Sequence, residues 1–165
     1  MSWLTTGRML VIAAASMGMA FYGYVLIFRI PALGDAITDS TARITALMLV
    51  PFRTGVTAQG SVLQGANFNF GVGPDCTALP PIALLLGAIL AFPSSPRAKL
   101  TGALLGILFL NVLNLVRVMS LVYIGTHFPG AIDLAHEVIW QAGMILATVV
   151  FWIVWLQRSR RAERA

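Results

Sequence analysis

The chain has 165 residues, 58% hydrophobic and 10% charged, with a formal charge of +5. A soluble domain carries roughly a quarter charged residues, so this composition excludes an ordinary soluble fold and points to a membrane protein. The basic residues sit beside apolar runs with no aromatic-interleaved basic patch, which fits membrane topology and no nucleic-acid partner. The length bounds the chain to one domain, read as a single integral membrane unit over 1–165.

The first apolar run, about Arg8 to Phe28, is too long for a signal-peptide core and is followed by no convincing cleavage site. It reads as a retained transmembrane helix. Pro31 to Asp75 then forms a more polar segment. Within it Asp35 to Val50 reads as an amphipathic interfacial helix: Ile37, Ile44, Leu47 and Met48 share one face, Asp39 and Arg43 form an i,i+4 pair, and Pro51 ends it. Phe68, Phe70 and Val72 alternate like a strand, and QGAN at 64–67 predicts a hairpin.

Three further spans follow: about Cys76 to Phe92, Leu100 to Ile124, and His136 to Leu156. Each is near or above the ~17–25 residues a crossing helix needs. Pro80 and Pro81 fall in the first turns of the second span, where helical N–H groups lack intrahelical partners anyway. The expected fold is an all-α membrane protein with about four transmembrane helices, one interfacial helix and a short outer hairpin or loop. With a cytoplasmic amino terminus, Arg8, Arg97, Lys99, Arg158, Arg160, Arg161 and Arg164 lie inside and Arg29, Arg43 and Arg53 outside. Seven against three places both termini in the cytoplasm of a multi-pass cell-membrane protein and segment 31–75 on the outer face. There is no internal repeat and no low-complexity tract.

This topology brings unusual residues together. Cys76 opens the second span, Arg117 lies in the outer half of the third, and His136 opens the fourth, all at one membrane face. The one cysteine allows no internal disulfide framework and no CxxC metal or redox motif. Each residue also has a plain structural reading: a packing cysteine, an interfacial histidine, a snorkelling arginine. Arg117 is the hardest to set aside, because a charge within a span costs on the order of 2.5–3.5 kcal/mol and calls for a protein-facing partner. Asn111, Asn114 and Arg117 recur every third residue as one polar stripe, which a structural seam between helices would also produce.

Taken together the three residues suffice for acyl transfer. A thiolate is the nucleophile, histidine can take and return its proton, and a fixed arginine can stabilise a thiolate or oxyanion where water is excluded. A helix N-terminus at Cys76 would favour the thiolate further. Asp75 and Asp133 are expected as helix caps, with Asp75 raising the thiol pKa. His127 and Glu137 are candidates for orienting His136. Met17, Met19 and the tryptophans near the chain ends read as lipid-facing filler and interface anchors. A non-enzymatic membrane scaffold is the alternative; a transporter fits less well, because the inner halves of the spans are almost wholly apolar.

Cys76 in CTALPPIALL, Asn114 and Arg117 in NLVRV, and His136 in AHEVIWQAG resemble the exosortase/archaeosortase family of membrane cysteine transpeptidases, over roughly Ala42 to Trp155. The Asn-x-x-Arg-Val pattern is the most specific element. The resemblance implies Cys76 as nucleophile, with Arg117 and His136 as catalytic partners and Asn114 in support. It implies substrates that are exported proteins anchored by a C-terminal sorting signal: a short motif, a transmembrane helix and a basic tail. Cleavage at the outer leaflet would pass through a thioester, with no metal or cofactor. The chain departs from many relatives in having fewer helices and in carrying Pro74 where a glutamate often precedes the cysteine by two residues.

Overall fold

The computed structural model describes residues 3–65 and 68–162. The chain is an all-α membrane protein carrying one small sheet. Its helices are α1 (Trp3–Arg29), α2 (Pro31–Leu49), α3 (Leu79–Ala91), α4 (Pro96–His127) and α5 (Gln141–Ala162). Strands β1 (Thr57–Gln59), β2 (Val62–Gln64) and β3 (Asn69–Gly71) lie between α2 and α3. Among the described residues, three helical segments are long and apolar enough to cross a membrane: Val11–Arg29, Pro96–His127 and Pro129–Arg161.

The second predicted span is the one the structure redraws. Cys76 to Phe92 is not one helix, because Pro74–Cys76 forms a 3-10 turn and α3 starts only at Leu79, running for 13 residues. At 1.5 Å per residue α3 is about 20 Å long, shorter than the ~30 Å hydrocarbon core of a bilayer. Irregular backbone that is covered by protein must find partners for its polar groups within the protein. Here Cys76, Thr77 and Ala78 are all buried.

Ile30, in an extended conformation, separates α1 from α2, and Pro31 starts the second helix. The helix expected at the interface thus begins four residues before the predicted Asp35. Its packing face is also different from the one expected. Gly34, Thr38, Ala42, Thr45, Ala46 and Leu49 point inward, while Ile44, Leu47 and Met48 are exposed. Small residues allow close helix approach in a membrane, and large apolar ones can face lipid without penalty. No ion pair links Asp39 to Arg43 among the described residues.

The sheet is antiparallel in the order β1-β2-β3. The predicted alternating strand is β3, and β2 pairs with it through Leu63↔Phe70. Ala66 and Asn67 of the predicted QGAN turn lie outside the described residues. A second hairpin was not predicted: Gln59 faces Val62 across Gly60-Ser61, with Gly60 at φ +58. Glycine at the first position of a two-residue turn with positive φ matches the twist of the flanking strands.

Two apolar clusters hold the bundle. One joins Ala42, Ala46, Leu49, Leu63, Val72, Cys76, Val118 and Val122 at the sheet-bearing end. The other joins α3, α4 and α5 through Ile82, Leu85, Ile89, Leu110, Met144 and Trp155. Trp155 is therefore no interface anchor: it is buried, donates from Nε1 to the Ala98 carbonyl at 2.9 Å, and fills the space a Cβ on Gly102 would need. Gly102→Leu is expected to displace the indole and cost about 1–3 kcal/mol, the usual scale of overpacking. A lower thermal midpoint in detergent would show this, and an unchanged midpoint would contradict the packing described.

Candidate active site

The 3-10 turn before α3 carries Cys76 at its end, and α4 holds that turn by its carbonyls. The Gly73 carbonyl accepts from Cys76 N at 3.0 Å, and the Pro74 carbonyl accepts from Thr77 N at 3.1 Å and Thr77 Oγ1 at 2.7 Å. The next two carbonyls point to α4. Arg117 Nη1 donates to the Asp75 carbonyl at 3.0 Å, and Asn114 Nδ2 donates to the Cys76 carbonyl at 2.9 Å. Consecutive carbonyls are thus matched by residues three apart on one helix, which gives the Asn-x-x-Arg spacing a physical reason. An isolated buried carbonyl would cost about 1–3 kcal/mol.

His136 reaches the same place from the other side. It opens no helix; it lies within a π-helical stretch, Leu134–Trp140, that runs into α5. The i→i+5 pattern adds a residue to the turn and re-aims the side chains there, and such bulges are frequent at functional sites. Its Nε2 lies 2.9 Å from Cys76 Sγ. The Phe70 ring meets the imidazole edge-on, with centroids 6.3 Å apart.

Cys76, Arg117, His136 and Asn114 are therefore brought together. Asn111 is not part of the group: it is exposed and bonds the Ile107 carbonyl of its own helix. Three-residue steps turn a helix by 300°, so 111 and 117 end about 120° apart. His127 bonds the Tyr123 carbonyl and stacks on that ring at 4.3 Å. Glu137 makes no bond to His136 among the described residues. Asp133 has helical dihedrals and makes no capping bond, and α3 has Ala78 at its N-cap position, so neither aspartate caps as expected.

Two features sequence reasoning missed are the aromatic support from Phe70 and the turn geometry. The alternation of Phe68, Phe70 and Val72 carried the first signal. A large apolar groove of about 770 Å³ lies nearby, lined by Val56, Phe68, Met119, Val122 and Tyr123, but the four converging residues do not line it.

The electrostatics are unbalanced in a telling way. Arg117 is 2% exposed, yet its Nε and Nη2 have no partner among the described residues, and neither does Asn114 Oδ1. Buried polar atoms are normally satisfied, so two free guanidinium donors beside a thiol are an exception that asks for a cause. Burial is the main influence on Cys76 and pushes its thiol up. Arg117 and backbone hydrogen bonding at Gly73 pull it down, and Asp75 adds a smaller upward push. The expected help from a helix N-terminus does not prevail, since the helix begins three residues later.

The alkylation rate of Cys76 by iodoacetamide should therefore rise with pH around a midpoint above the ~8.5 of an ordinary thiol. Asp75→Asn removes an upward influence from an exposed position and should bring the midpoint down. A wild-type midpoint at or below the ordinary value would contradict the burial account.

Comparison with curated proteins and with solved structures gave no match. The family model of the transmembrane exosortases, however, matches residues 1–156, nearly the whole chain. The chain is a member of the transmembrane exosortase family.

Proposed function

We propose that this exosortase-family protein is a cysteine transpeptidase or protease that cleaves a C-terminal sorting signal of membrane-anchored exported proteins at the outer leaflet. The observation that carries this reading is the 2.9 Å approach of Cys76 Sγ to His136 Nε2, on a turn clamped by Asn114 and Arg117. In the resting pair Sγ–H donates to Nε2, which leaves the imidazole proton on Nδ1. On attack the thiol proton moves to Nε2 as the sulfur–carbon bond forms, and the substrate carbonyl becomes an oxyanion. The free Nε and Nη2 donors of Arg117 suit that charge, in a site where exclusion of water strengthens them. Collapse breaks the carbon–nitrogen bond, and the imidazolium returns its proton to the leaving amine. The thioester then passes to water or to another nucleophile with the same proton relay reversed.

Asn114 acts through the backbone, holding the cysteine carbonyl so that Sγ stays on the imidazole. The orientation that matches this chemistry is the one with both termini cytoplasmic. The test is co-expression with an exported protein bearing a C-terminal helix and basic tail. Wild type converts it to a shorter form and Cys76→Ala does not; equal conversion by both would remove the assignment. A scaffold would instead show Cys76 reacting with thiol probes no faster than an unpaired cysteine of equal burial.

A further inference from the structure

The basic end of the bundle holds a cavity that no part of the peptide chemistry uses. Its volume is about 380 Å³, and it lies between the first turns of α4 and the last turns of α5. Arg97 and Arg158 line one end of it with Thr101 and Ser159, while Leu105, Phe151 and Val154 line it further along the two helices, Leu105 and Val154 with exposed apolar side chains. Leu105 lies eight positions after Arg97 on α4, and Arg158 seven positions after Phe151 on α5. At 1.5 Å per residue the arginines lie about 10–12 Å along the helices from the apolar residues.

Two other basic side chains nearby are engaged. Lys99 Nζ donates to the Leu90 carbonyl at 2.8 Å, and the Arg160 guanidinium sits 5.1 Å from the centroid of the Phe92 ring. Arg97 and Arg158 have no partner among the described residues. Ser159 also lines the cavity, is 6% exposed, and makes no hydrogen bond among the described residues. Two exposed arginines and Ser159 thus line one end of an apolar cavity at a membrane-crossing end, with no partner among the described residues.

We infer that this cavity binds one anionic glycerophospholipid, with its phosphate between Arg97 and Arg158 and the upper part of an acyl chain against Leu105, Phe151 and Val154. Guanidinium forks match phosphate oxygens in pairs, and Ser159 supplies one more donor. A free phosphate would leave the apolar wall wet, whereas a lipid fills both levels. Basic pockets between spans at this level have the chemistry for anionic headgroups. The inference does not depend on the peptidase reading, because it concerns the opposite end of α4 and α5.

The full chain in neutral detergent, titrated with dioleoyl phosphatidylglycerol or dioleoyl phosphatidylcholine and read by native mass spectrometry, tests it. The expected result is retention of one phosphatidylglycerol and none of the zwitterionic lipid. Arg97→Gln and Arg158→Gln should each weaken retention about fivefold, the scale of one basic residue near an anionic surface. Arg161→Gln, at an exposed position outside the cavity, should leave it unchanged. Unaltered Cys76 alkylation would show that the variants are folded. Equal retention of both lipids would overturn the site. So would an Arg161→Gln loss as large as that of Arg97→Gln, or displacement of the lipid by millimolar inorganic phosphate.

Discussion

Cys76→Ala is expected to lower conversion of a sorting-signal substrate by on the order of 10⁴-fold or more, the scale on which a missing nucleophile outweighs everything that binding retains. The same loss is expected for Cys76→Ser. Serine keeps the hydrogen bond to His136 Nε2 but replaces a thiol by a hydroxyl whose deprotonation is far harder, and burial that already pushes the thiol up acts more strongly on an alkoxide. His136→Ala should cost about 10²–10⁴-fold, the range of a lost general acid-base group, and leave a thiol that still alkylates. Those three variants separate chemistry from packing. Cys76 is 3% exposed and belongs to the apolar cluster at the sheet-bearing end, so a purely structural cysteine would show a lower thermal midpoint with conversion intact. Conversion lost with the midpoint held is the outcome a nucleophile requires. The readout is the ratio of processed to full-length substrate on a gel, alongside a melting curve of each variant.

What the sequence made legible was placement by topology. Apolar runs are long-range averages, and they suffice to bring Cys76, Arg117 and His136 to one end of the bundle. What stayed hidden depends on single hydrogen bonds. Nothing in CTALPPIALL distinguishes a helix starting at Cys76 from one starting at Leu79, because the residues are apolar or small throughout and the prolines fit early turns in either register. The π-helical stretch at His136 adds a residue to a turn without changing composition, so no pattern announces it. Asn111 was grouped with Asn114 and Arg117 because a three-residue step looks continuous over one interval, although it drifts by about 60° each time. The α2 face was misjudged for another reason. Large apolar residues mark the core in water, whereas in a membrane the small face can pack and the large one meets lipid. The first hairpin was legible in principle, since Gly60-Ser61 is a recognised two-residue turn, but a Gly-rich loop concealed it.

Arg117 yields the second large effect, and its two possible roles make different demands. As a clamp it needs only Nη1, which holds the Asp75 carbonyl; as an oxyanion donor it needs the Nε and Nη2 that are free in the resting site. Arg117→Lys keeps a cation that can reach one carbonyl but loses the planar fork, so it should preserve most of the thermal midpoint. Its turnover should nevertheless fall by about 10²–10³-fold, the scale of one lost oxyanion donor. Arg117→Gln should lose turnover similarly and destabilise as well, because the part-buried Asp75 carbonyl loses its donor to a shorter side chain. It should also raise the midpoint of Cys76 alkylation, since the charge that pulls the thiol down is gone. Asn114→Ala supplies the contrast: it frees the Cys76 carbonyl without touching either free guanidinium donor, so it acts on the position of the thiol. If Arg117 only clamps, lysine rescues turnover together with stability. If its spare donors meet the developing charge, stability returns with lysine and turnover does not.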